Sequence, residues 1–362
     1  MDTPYILVDA AKMQRNILKM AGITQENSVA LRPHVKTHKI PAIARKQLEA
    51  GASGIAVATV SEAEVMADGG IEDIFIAYPL VTEEKIQRAL ALSRRIRLIV
   101  GVDSLEGARR LSEVAKAEDH TLEVRLEVDT GLRRTGVPYE DAEELAAKIQ
   151  ATSNLSLTGI YTYRGAVLDG SPTLELEKAG IEEGQLMASL ADGMRERGVG
   201  VDDVSVGSTP TARYAARVQG VTEVRPGTYV FYDRMQAQLG ACSFDECAAE
   251  VVVTVVSRPS SGLAVIDGGS KTFATDVQPG GAPLNLVGFG EIVGHPEAIL
   301  ERLTEEHGMI SLNEDSDLLV GDTIRIVPNH ICSTVNLHDA IYLTGEDGTV
   351  EELQVAARGK VR

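Results

Sequence analysis

A basic octapeptide at residues 32–39, Arg-Pro-His-Val-Lys-Thr-His-Lys, directly follows the short apolar segment 29–31. The apolar segment predicts a buried strand, and Pro33 disfavours a helix because it restricts Arg32 and removes a backbone donor. Lys36 would then lie at the end of a strand. A partly desolvated lysine beside other cations can act as an amine nucleophile or form a Schiff base. We therefore expect Lys36 to be the reactive residue of an anion-binding site, with a solvated basic loop as the alternative.

Small and hydroxyl-bearing residues gather at two later points, 207–211 (Gly-Ser-Thr-Pro-Thr) and 225–229 (Arg-Pro-Gly-Thr-Tyr). Glycines let backbone N–H groups approach a phosphate, and hydroxyl groups add further donors. A Gly-Ser-Thr sequence alone is often an ordinary loop. Its place after a predicted strand, in a chain that also carries Lys36, favours a phosphate site.

His330 and Cys332 lie two positions apart in the segment 328–332, Pro-Asn-His-Ile-Cys. In an extended segment, such residues point to the same face, so an imidazole and a thiolate could bind one metal ion. A thiolate ligand favours Zn²⁺ over Mn²⁺ or Mg²⁺. A pair with this spacing also arises by coincidence.

Strand-like and helix-like segments alternate through the first two thirds of the chain and would position these residues. Strands are predicted at 29–31, 55–58, 74–77, 97–102, 122–128, 157–163, 203–206 and 224–231. Helices are predicted between them at 40–49, 61–67, 83–93, 105–117, 139–150 and 181–197. Eight strands in helical alternation predict a (β/α)8 TIM barrel, an α/β fold whose active site lies at the C-terminal ends of the strands.

The pattern changes near Cys242. Segments rich in Val and Ile at 248–256, 263–266, 323–327 and 340–343 are separated by turns rather than long helices. This pattern predicts an antiparallel β domain. We therefore divide the chain into a barrel at 1–240 and a β-rich, metal-binding domain at 241–362.

Composition limits the kind of ligand. Fifty-three acidic and 35 basic residues give a net charge of −18, which argues against nucleic acid or an anionic membrane as the main partner. No apolar run approaches the roughly 20 residues of a membrane span, and the first residues do not resemble a signal peptide. The three cysteines are too few for a disulfide framework. We expect a cytoplasmic protein that acts on small molecules.

The octapeptide at 32–39, the segment 206–211 and the segment 221–233 resemble the D-threonine aldolase and D-serine dehydratase family. These are fold type III enzymes that use pyridoxal 5′-phosphate (PLP), with an alanine racemase-like barrel. The resemblance implies that Lys36 carries the Schiff base and that a small set of residues holds the cofactor. These residues are His34, Arg134 and Tyr163 near the ring and Ser208, Thr209, Gly227 and Thr228 at the phosphate. For Arg134, an interior ion pair with Glu127 or Asp129 is the alternative.

The resemblance also implies a divalent metal at His330 and Cys332, and a homodimer. Dehydratase members of the family resemble the His-x-Cys form, whereas segment 334–339 and the C-terminal residues look aldolase-like. Where aldolases carry Tyr-His-Gly, this chain has Tyr163-Arg164-Gly165. Arginine is a poor base but a good carboxylate clamp, so Arg164 is a candidate for binding an acidic substrate, with a structural ion pair as the alternative.

These observations predict a PLP- and metal-dependent lyase of D-3-hydroxy amino acids. Aldol cleavage to glycine and an aldehyde is placed narrowly first. Its rival is dehydration of D-serine or 3-hydroxyaspartate to a 2-oxo acid and ammonia. An amino-acid racemase and a non-catalytic cofactor-carrying protein are less favoured alternatives.

Overall fold

The computed structural model describes all residues, 1–362, and they form two compact units. The first unit consists of residues 1–17, 37–40 and 228–358, and the second of residues 18–36, 41–227 and 359–362. The domain boundary that the sequence predicts after residue 240 stays a prediction. The contact-based units differ from it because they place the N-terminal residues and residues 228–240 with the β-rich part of the chain.

The second unit is built on eight parallel strands. They are Ala30–Leu31, Ile55–Val57, Asp73–Pro79, Arg97–Val102, Leu122–Asp129, Leu155–Tyr161, Asp203–Val206 and Glu223–Val224. Each strand pairs with its neighbours in the chain, and the last pairs with the first. A parallel bridge between His34 and Ala56 joins the first strand segment to the second, which closes the sheet into a barrel.

Helices follow the strands in alternation. They are Pro41–Glu49, Val60–Asp68, Glu83–Ser93, Leu105–Ala117, Ala142–Gln150, Leu176–Glu196 and Ala212–Ala215. Apolar side chains fill the barrel, with Phe75, Ile99 and Tyr161 at most 1% exposed. The Phe75 and Tyr161 rings meet edge to face with centroids 4.9 Å apart. The predicted fold class, a TIM-type barrel with an antiparallel β domain, is confirmed.

The eighth strand is much shorter than predicted. The sequence suggested a strand at 224–231, but the ladder ends at Val224 and Thr228–Val230 form a 3₁₀ turn. Pro226 ends the ladder because it lacks a backbone donor. Tyr229 and Val230 are nevertheless fully buried, which is why this apolar run read as a strand.

The first unit is a nine-stranded sheet, part of which closes into a barrel. Its strands are Tyr5–Asp9, Ala249–Ser260, Leu263–Ile266, Gly290–Ile292, Ile299–Leu303, Gly308–Ser311, Thr323–Pro328, Ala340–Thr344 and Val350–Gln354. The long strand Ala249–Ser260 pairs with Leu263–Ile266 on one side and with Thr323–Pro328 on the other, so six strands form a closed antiparallel barrel.

The N-terminal strand belongs to this sheet. Tyr5–Asp9 pairs antiparallel with Ala249–Ser260 and parallel with Ala340–Thr344. The sequence analysis did not place a strand there. The remaining helices of the chain are Ala10–Glu26, Arg234–Leu239 and Ile331–Val335, and 3₁₀ turns lie at Val35–Thr37, Tyr139–Asp141 and Phe244–Glu246. No helix is both long and apolar enough to cross a membrane.

Candidate active site

Lys36 lies in a short turn just after the first barrel strand. Ala30–Leu31 leads through Pro33 to the 3₁₀ turn Val35–Thr37, in which the backbone N–H of Lys36 donates to the Nδ1 atom of His34 at 3.4 Å. The Lys36 ammonium group lies 5.5 Å from the centroid of the Tyr163 ring. His38, by contrast, is fully buried against the Phe231 ring, so not every basic residue of the octapeptide faces a ligand.

A cavity of about 390 Å³ opens beside Lys36. It is lined by His34, Lys36, Ala58, Ala77, Tyr78, Glu127, Arg134, Thr135, Tyr161, Tyr163 and Arg225. The barrel thus brings together four of the predicted site residues, namely His34, Lys36, Arg134 and Tyr163. The volume lies in the range of a small-molecule site.

Arg134 is exposed and its guanidinium lies 5.1 Å from the centroid of the Tyr163 ring. Tyr163 therefore carries two cations, Arg134 and Lys36, over one aromatic ring. Such contacts are attractive because the face of an aromatic ring is negative. Arg134 is also near enough to Glu127 to lower the pKa of that carboxyl, so the ring contact and the ion pair both stay predictions.

Glu127 and Arg225 line the cavity but were not predicted as site residues. Glu127 accepts hydrogen bonds from Thr135 Oγ1 at 2.8 Å and from Tyr161 Oη at 3.1 Å. Burial raises the pKa of the Glu127 carboxyl above its ordinary value, although these hydrogen bonds and Arg134 act to lower it. The sequence carried no signal that singles out Glu127, because apolar and charged residues alternate along the strand Leu122–Asp129.

The loop after the seventh strand is tightly held. Gly207 has a φ of +80°, and a side chain there would come within 3.1 Å of Ala212, so only glycine fits this turn. The Ser208 backbone N–H donates to Thr211 Oγ1 at 3.0 Å, and the Gly227 N–H donates to Thr209 Oγ1 at 3.2 Å. Three of the predicted phosphate ligands therefore lie in two loops that a hydrogen bond joins, namely Ser208, Thr209 and Gly227. A glycine turn with buried hydroxyls fits a phosphate group.

Thr228, the fourth predicted phosphate ligand, is engaged elsewhere. Its hydroxyl lies 3.3 Å from the Cys332 sulfur, and the Thr37 hydroxyl lies 3.1 Å from the same sulfur. In the first unit, Thr228 is therefore a neighbour of the predicted metal ligand.

Arg164 is buried, with 1% of its side chain exposed, and does not line the cavity. Its guanidinium pairs with Glu182 at 3.2 Å and donates to the carbonyl oxygens of Thr130 and Ala179. The strand before it ends at Tyr161, two residues earlier than predicted. This geometry favours the structural ion pair, and the carboxylate-clamp assignment stays a prediction.

His330 and Cys332 lie at the start of a short helix rather than in the extended segment that the sequence suggested. His330 has extended backbone angles and caps the helix Ile331–Val335. The prediction of an extended segment was therefore wrong from Ile331 onwards. The two side chains meet all the same, because a hydrogen bond joins the imidazole to the thiol.

The remaining partners of this pair come from the same unit. Asp276 Oδ2 lies 2.6 Å from His330 Nδ1, which leaves Nε2 as the ring nitrogen available to a metal. Asp276 also accepts a hydrogen bond from Ser333 Oγ at 3.0 Å. A carboxylate on the outer nitrogen of a metal-binding histidine fixes the ring orientation.

The two side chains are coupled electrostatically. Burial acts to lower the pKa of His330, but Cys332 and Asp276 raise it to about 11. Burial acts to raise the pKa of the Cys332 thiol, but His330 lowers it below its ordinary value. Each group therefore favours the charged form of the other, and a metal ion bound between them would take the place of the proton.

No cluster of three or more His, Cys, Asp or Glu side chains is placed to hold a metal ion. The pair fits a site with two protein ligands, in which the remaining coordination positions are left to water or substrate. The soft sulfur and the oriented imidazole suit Zn²⁺.

The barrel with its lysine-bearing strand end, followed by a β domain with a His-Cys pair, defines a two-domain barrel enzyme. Residues 8–235 match the family model of the alanine racemase N-terminal domain, and residues 248–344 match that of a putative serine dehydratase domain. The chain belongs to the alanine racemase N-terminal domain family, in the branch that carries the dehydratase domain. The predicted family is thereby confirmed.

Named relatives extend over the whole chain. The chain is 32% identical to a D-threo-3-hydroxyaspartate dehydratase of Delftia sp., with 97% of this chain and 96% of the relative covered. It is 31% identical to a D-threonine aldolase of Arthrobacter sp., with 99% and 93% covered. Its relatives are thus lyases, which agrees with the predicted enzyme class.

Solved structures of related proteins have the same fold over nearly the whole chain. The Delftia dehydratase superposes with a TM-score of 0.89 at 33% identity, covering 98% of this chain and 97% of that one. A D-threonine aldolase of Filomicrobium marinum superposes with a TM-score of 0.88 at 31% identity, covering 100% and 96%. A D-threo-3-hydroxyaspartate dehydratase has also been solved with a histidine replaced by alanine and, in a metal-free form, with a cysteine replaced by alanine.

Proposed function

We propose that this chain is a PLP- and metal-dependent lyase of D-3-hydroxy amino acids, and that it dehydrates its substrate to a 2-oxo acid and ammonia. The observation that carries the proposal is the cavity that gathers His34, Lys36, Arg134 and Tyr163 at the C-terminal end of the barrel. An amine, an aromatic face and a second cation in about 390 Å³ suit a planar anionic cofactor.

The cofactor supplies, when bound, delocalisation of the negative charge that develops at the substrate Cα. Lys36 would provide the amine that holds the cofactor and would afterwards be the base for the Cα proton. Tyr163 would place its ring beside the cofactor plane, and Arg134 would approach the cofactor ring. Ser208 and Thr209 would donate to the phosphate through their hydroxyl groups, with Gly227 and Thr228 as the remaining predicted ligands. His34, which accepts the Lys36 backbone N–H, would fix the turn that presents the amine.

His330 and Cys332 would hold a divalent cation, with Zn²⁺ favoured over Mn²⁺ or Mg²⁺. The chemistry that the metal supplies when bound is Lewis-acid polarisation of a substrate oxygen. Asp276 holds the His330 ring in the orientation that frees Nε2.

Dehydration moves ahead of aldol cleavage because of position 164. Aldol cleavage needs a base for the β-hydroxyl, whereas elimination needs a base only at Cα and a group that assists the departing hydroxyl. Arg164 is buried, paired with Glu182 and permanently charged, so it cannot accept that proton. Aldol cleavage remains the second candidate, because the chain is 31% identical to a D-threonine aldolase over nearly its whole length.

Products distinguish the two reactions. Purified protein loaded with PLP and Zn²⁺ should convert D-threo-3-hydroxyaspartate or D-serine to a 2-oxo acid and ammonia. Release of glycine and an aldehyde instead would establish aldol cleavage. Conversion of L- to D-isomers without either product would overturn the lyase proposal. We also propose a homodimer in the cytoplasm, and light scattering on a sizing column tests the dimer.

A further inference from the structure

A fully buried carboxyl lies beneath the loop that follows the seventh strand. Glu183, on the helix Leu176–Glu196, is 0% exposed. Its Oε2 atom accepts the Thr211 hydroxyl at 3.3 Å, the Gly207 backbone N–H also donates to the carboxyl, and its Oε1 atom has no hydrogen-bond partner. An unpartnered oxygen on a buried carboxylate is costly, and the cost is smaller when the carboxyl is neutral.

Thr211 connects this carboxyl to Ser208. Its hydroxyl has three neighbours: the Ser208 N–H at 3.0 Å, the Ser208 hydroxyl at 2.9 Å and Glu183. The backbone N–H can only donate, so it occupies one lone pair of the Thr211 oxygen. The single Thr211 proton must then go either to Glu183 or to the Ser208 hydroxyl.

The charge of Glu183 decides between these two directions. An ionised carboxylate only accepts, so Thr211 donates to it and the Ser208 hydroxyl must donate to Thr211. A neutral carboxyl can donate to Thr211, which then donates to Ser208. In that case the Ser208 proton is free to point towards a ligand.

We propose that Glu183 is a positioning residue for the cofactor phosphate. In its protonated form, Glu183 orients the Thr211 and Ser208 hydroxyl groups so that Ser208 donates a hydrogen bond to the phosphate. The inference rests on the proposed function, since it takes the loop 207–211 to be the phosphate site. It adds a buried acid that contacts neither cofactor nor substrate.

The surroundings of Glu183 support a neutral carboxyl near neutral pH. Burial raises its pKa to about 7, although the Arg164 and Arg225 guanidinium groups act to lower it. These are the cations that face it, one following the sixth strand and one following the eighth. Glu182, the adjacent carboxylate, pairs with Arg164, and the loop side contributes only the uncharged Thr211.

The test uses pyridoxine 5′-phosphate, which has the phosphate but no aldehyde and therefore cannot react with Lys36. Its dissociation constant is measured between about pH 6.5 and pH 8.5, where the phosphate is mainly a dianion. Wild-type protein should bind roughly 10-fold more weakly at the upper end, as expected for the loss of one hydrogen bond to a charged group. Calorimetry in buffers of different ionisation enthalpy should show proton uptake on binding that averages about half a proton over this range, since a 10-fold change over two pH units has that slope.

Variants distinguish a positioning role of Glu183 from a purely structural one. Glu183→Gln keeps a donor towards Thr211, so it should bind tightly with neither the pH dependence nor the proton uptake. Thr211→Val removes the oxygen that accepts the Ser208 proton at high pH, so its affinity should not depend on pH in this range, and Thr211→Ser should restore the wild-type profile. Glu177→Gln, an exposed carboxylate on the same helix, should leave the profile unchanged. Pyridoxine, which lacks the phosphate, should show none of the Glu183-dependent pH effect.

Two failures are distinguishable. If wild-type protein binds neither PLP nor pyridoxine 5′-phosphate, the proposed function fails. If wild-type protein binds both but Glu183→Gln retains the full pH dependence, or binds at about pH 6.5 as weakly as wild type does at about pH 8.5, the role assigned to Glu183 is wrong.

Discussion

At the scale of single residues, the lysines of this chain differ in what surrounds them. Lys36 is half-buried, lines a cavity and lies over the Tyr163 ring. Lys39 is buried with a φ of +57°, and Lys271 is exposed and paired with Glu306. Of these three, Lys36 alone combines access to this cavity with an aromatic neighbour, so we expect a carbonyl cofactor to react there.

Reduction with borohydride in the presence of PLP should therefore fix the cofactor to Lys36. Peptide mapping by mass spectrometry should find the added mass on the peptide that contains residue 36. Lys36→Ala should show no label and no visible absorption band, while Lys271→Ala should label as the wild type does. A label on Lys39 or Lys271 in the wild type would contradict the assignment.

Arg164 gives the second prediction at this scale. The side chain is buried and bound to Glu182, Thr130 and Ala179, so truncation leaves a carboxylate without its partner. Arg164→Ala should lower the free energy of unfolding by roughly 3–5 kcal/mol. It should reduce kcat/KM for D-serine and for D-3-hydroxyaspartate by similar factors. A loss confined to the acidic substrate, with unchanged stability, would restore the predicted carboxylate clamp.

At the scale of elements, the segments that could be predicted were those with local signals. The helices Glu83–Ser93 and Leu105–Ala117 and the strand Arg97–Val102 have the predicted bounds. Ser104 caps the second helix through the Gly107 N–H, and apolar periodicity marks the buried face of each helix. These signals are local and therefore visible in the sequence.

Long-range pairing could not be predicted in the same way. The strand Tyr5–Asp9 pairs in register with residues 249–252, about 240 positions later in the chain, and no local pattern announces this. The turn at His330 is similar, because its conformation depends on Asp233, which accepts the Ile331 N–H at 3.0 Å. The sequence therefore identified the His-Cys pair by spacing, but the helix that presents it and the Asp276 contact came only from the structure.

The short helix Ile331–Val335 carries the metal prediction. Cys332→Ala should abolish zinc binding and turnover, because it removes one of two protein ligands, while absorption of bound PLP persists.

Asp276→Asn should weaken metal affinity roughly 10- to 100-fold, as for other partners of metal-binding histidines. Ser333→Ala, which removes only a second contact to Asp276, is the matched control. Metal content is measured by mass spectrometry after dialysis, and full activity in a chelated, metal-free sample would show that the site is not needed for turnover.

At the scale of the whole molecule, a buried ion-pair network joins several strands of the barrel beneath the cavity. The cavity lies at the C-terminal ends of the strands, whereas Asp73, Asp203 and Glu223 are the first residues of their strands. Glu223 binds Arg32 at 2.7 Å and Arg125 at 2.6 Å, and all three side chains are at most 4% exposed. Arg125 also reaches Asp203 at 2.6 Å, so one network ties the first, fifth, seventh and eighth strands.

The free energy of unfolding should therefore depend on the charge of Glu223. Burial acts to raise its pKa, but Arg125 and Arg32 lower it to about 2, below the ordinary value of 4.5. Because the folded-state pKa is depressed, the stabilisation is present above about pH 4.5 and is lost as the pH falls towards 2, by about 3 kcal/mol in all.

Glu223→Gln should cost roughly 3–5 kcal/mol at pH 7, since it leaves two guanidinium groups buried beside a neutral amide. Urea unfolding at several pH values should show the difference between wild type and variant shrinking below pH 4.5. Glu123→Gln, which removes a half-buried partner of the exposed Arg97, should cost no more than about 1 kcal/mol. A Glu223→Gln protein with wild-type stability at pH 7 would mean that the buried network does not hold the barrel together.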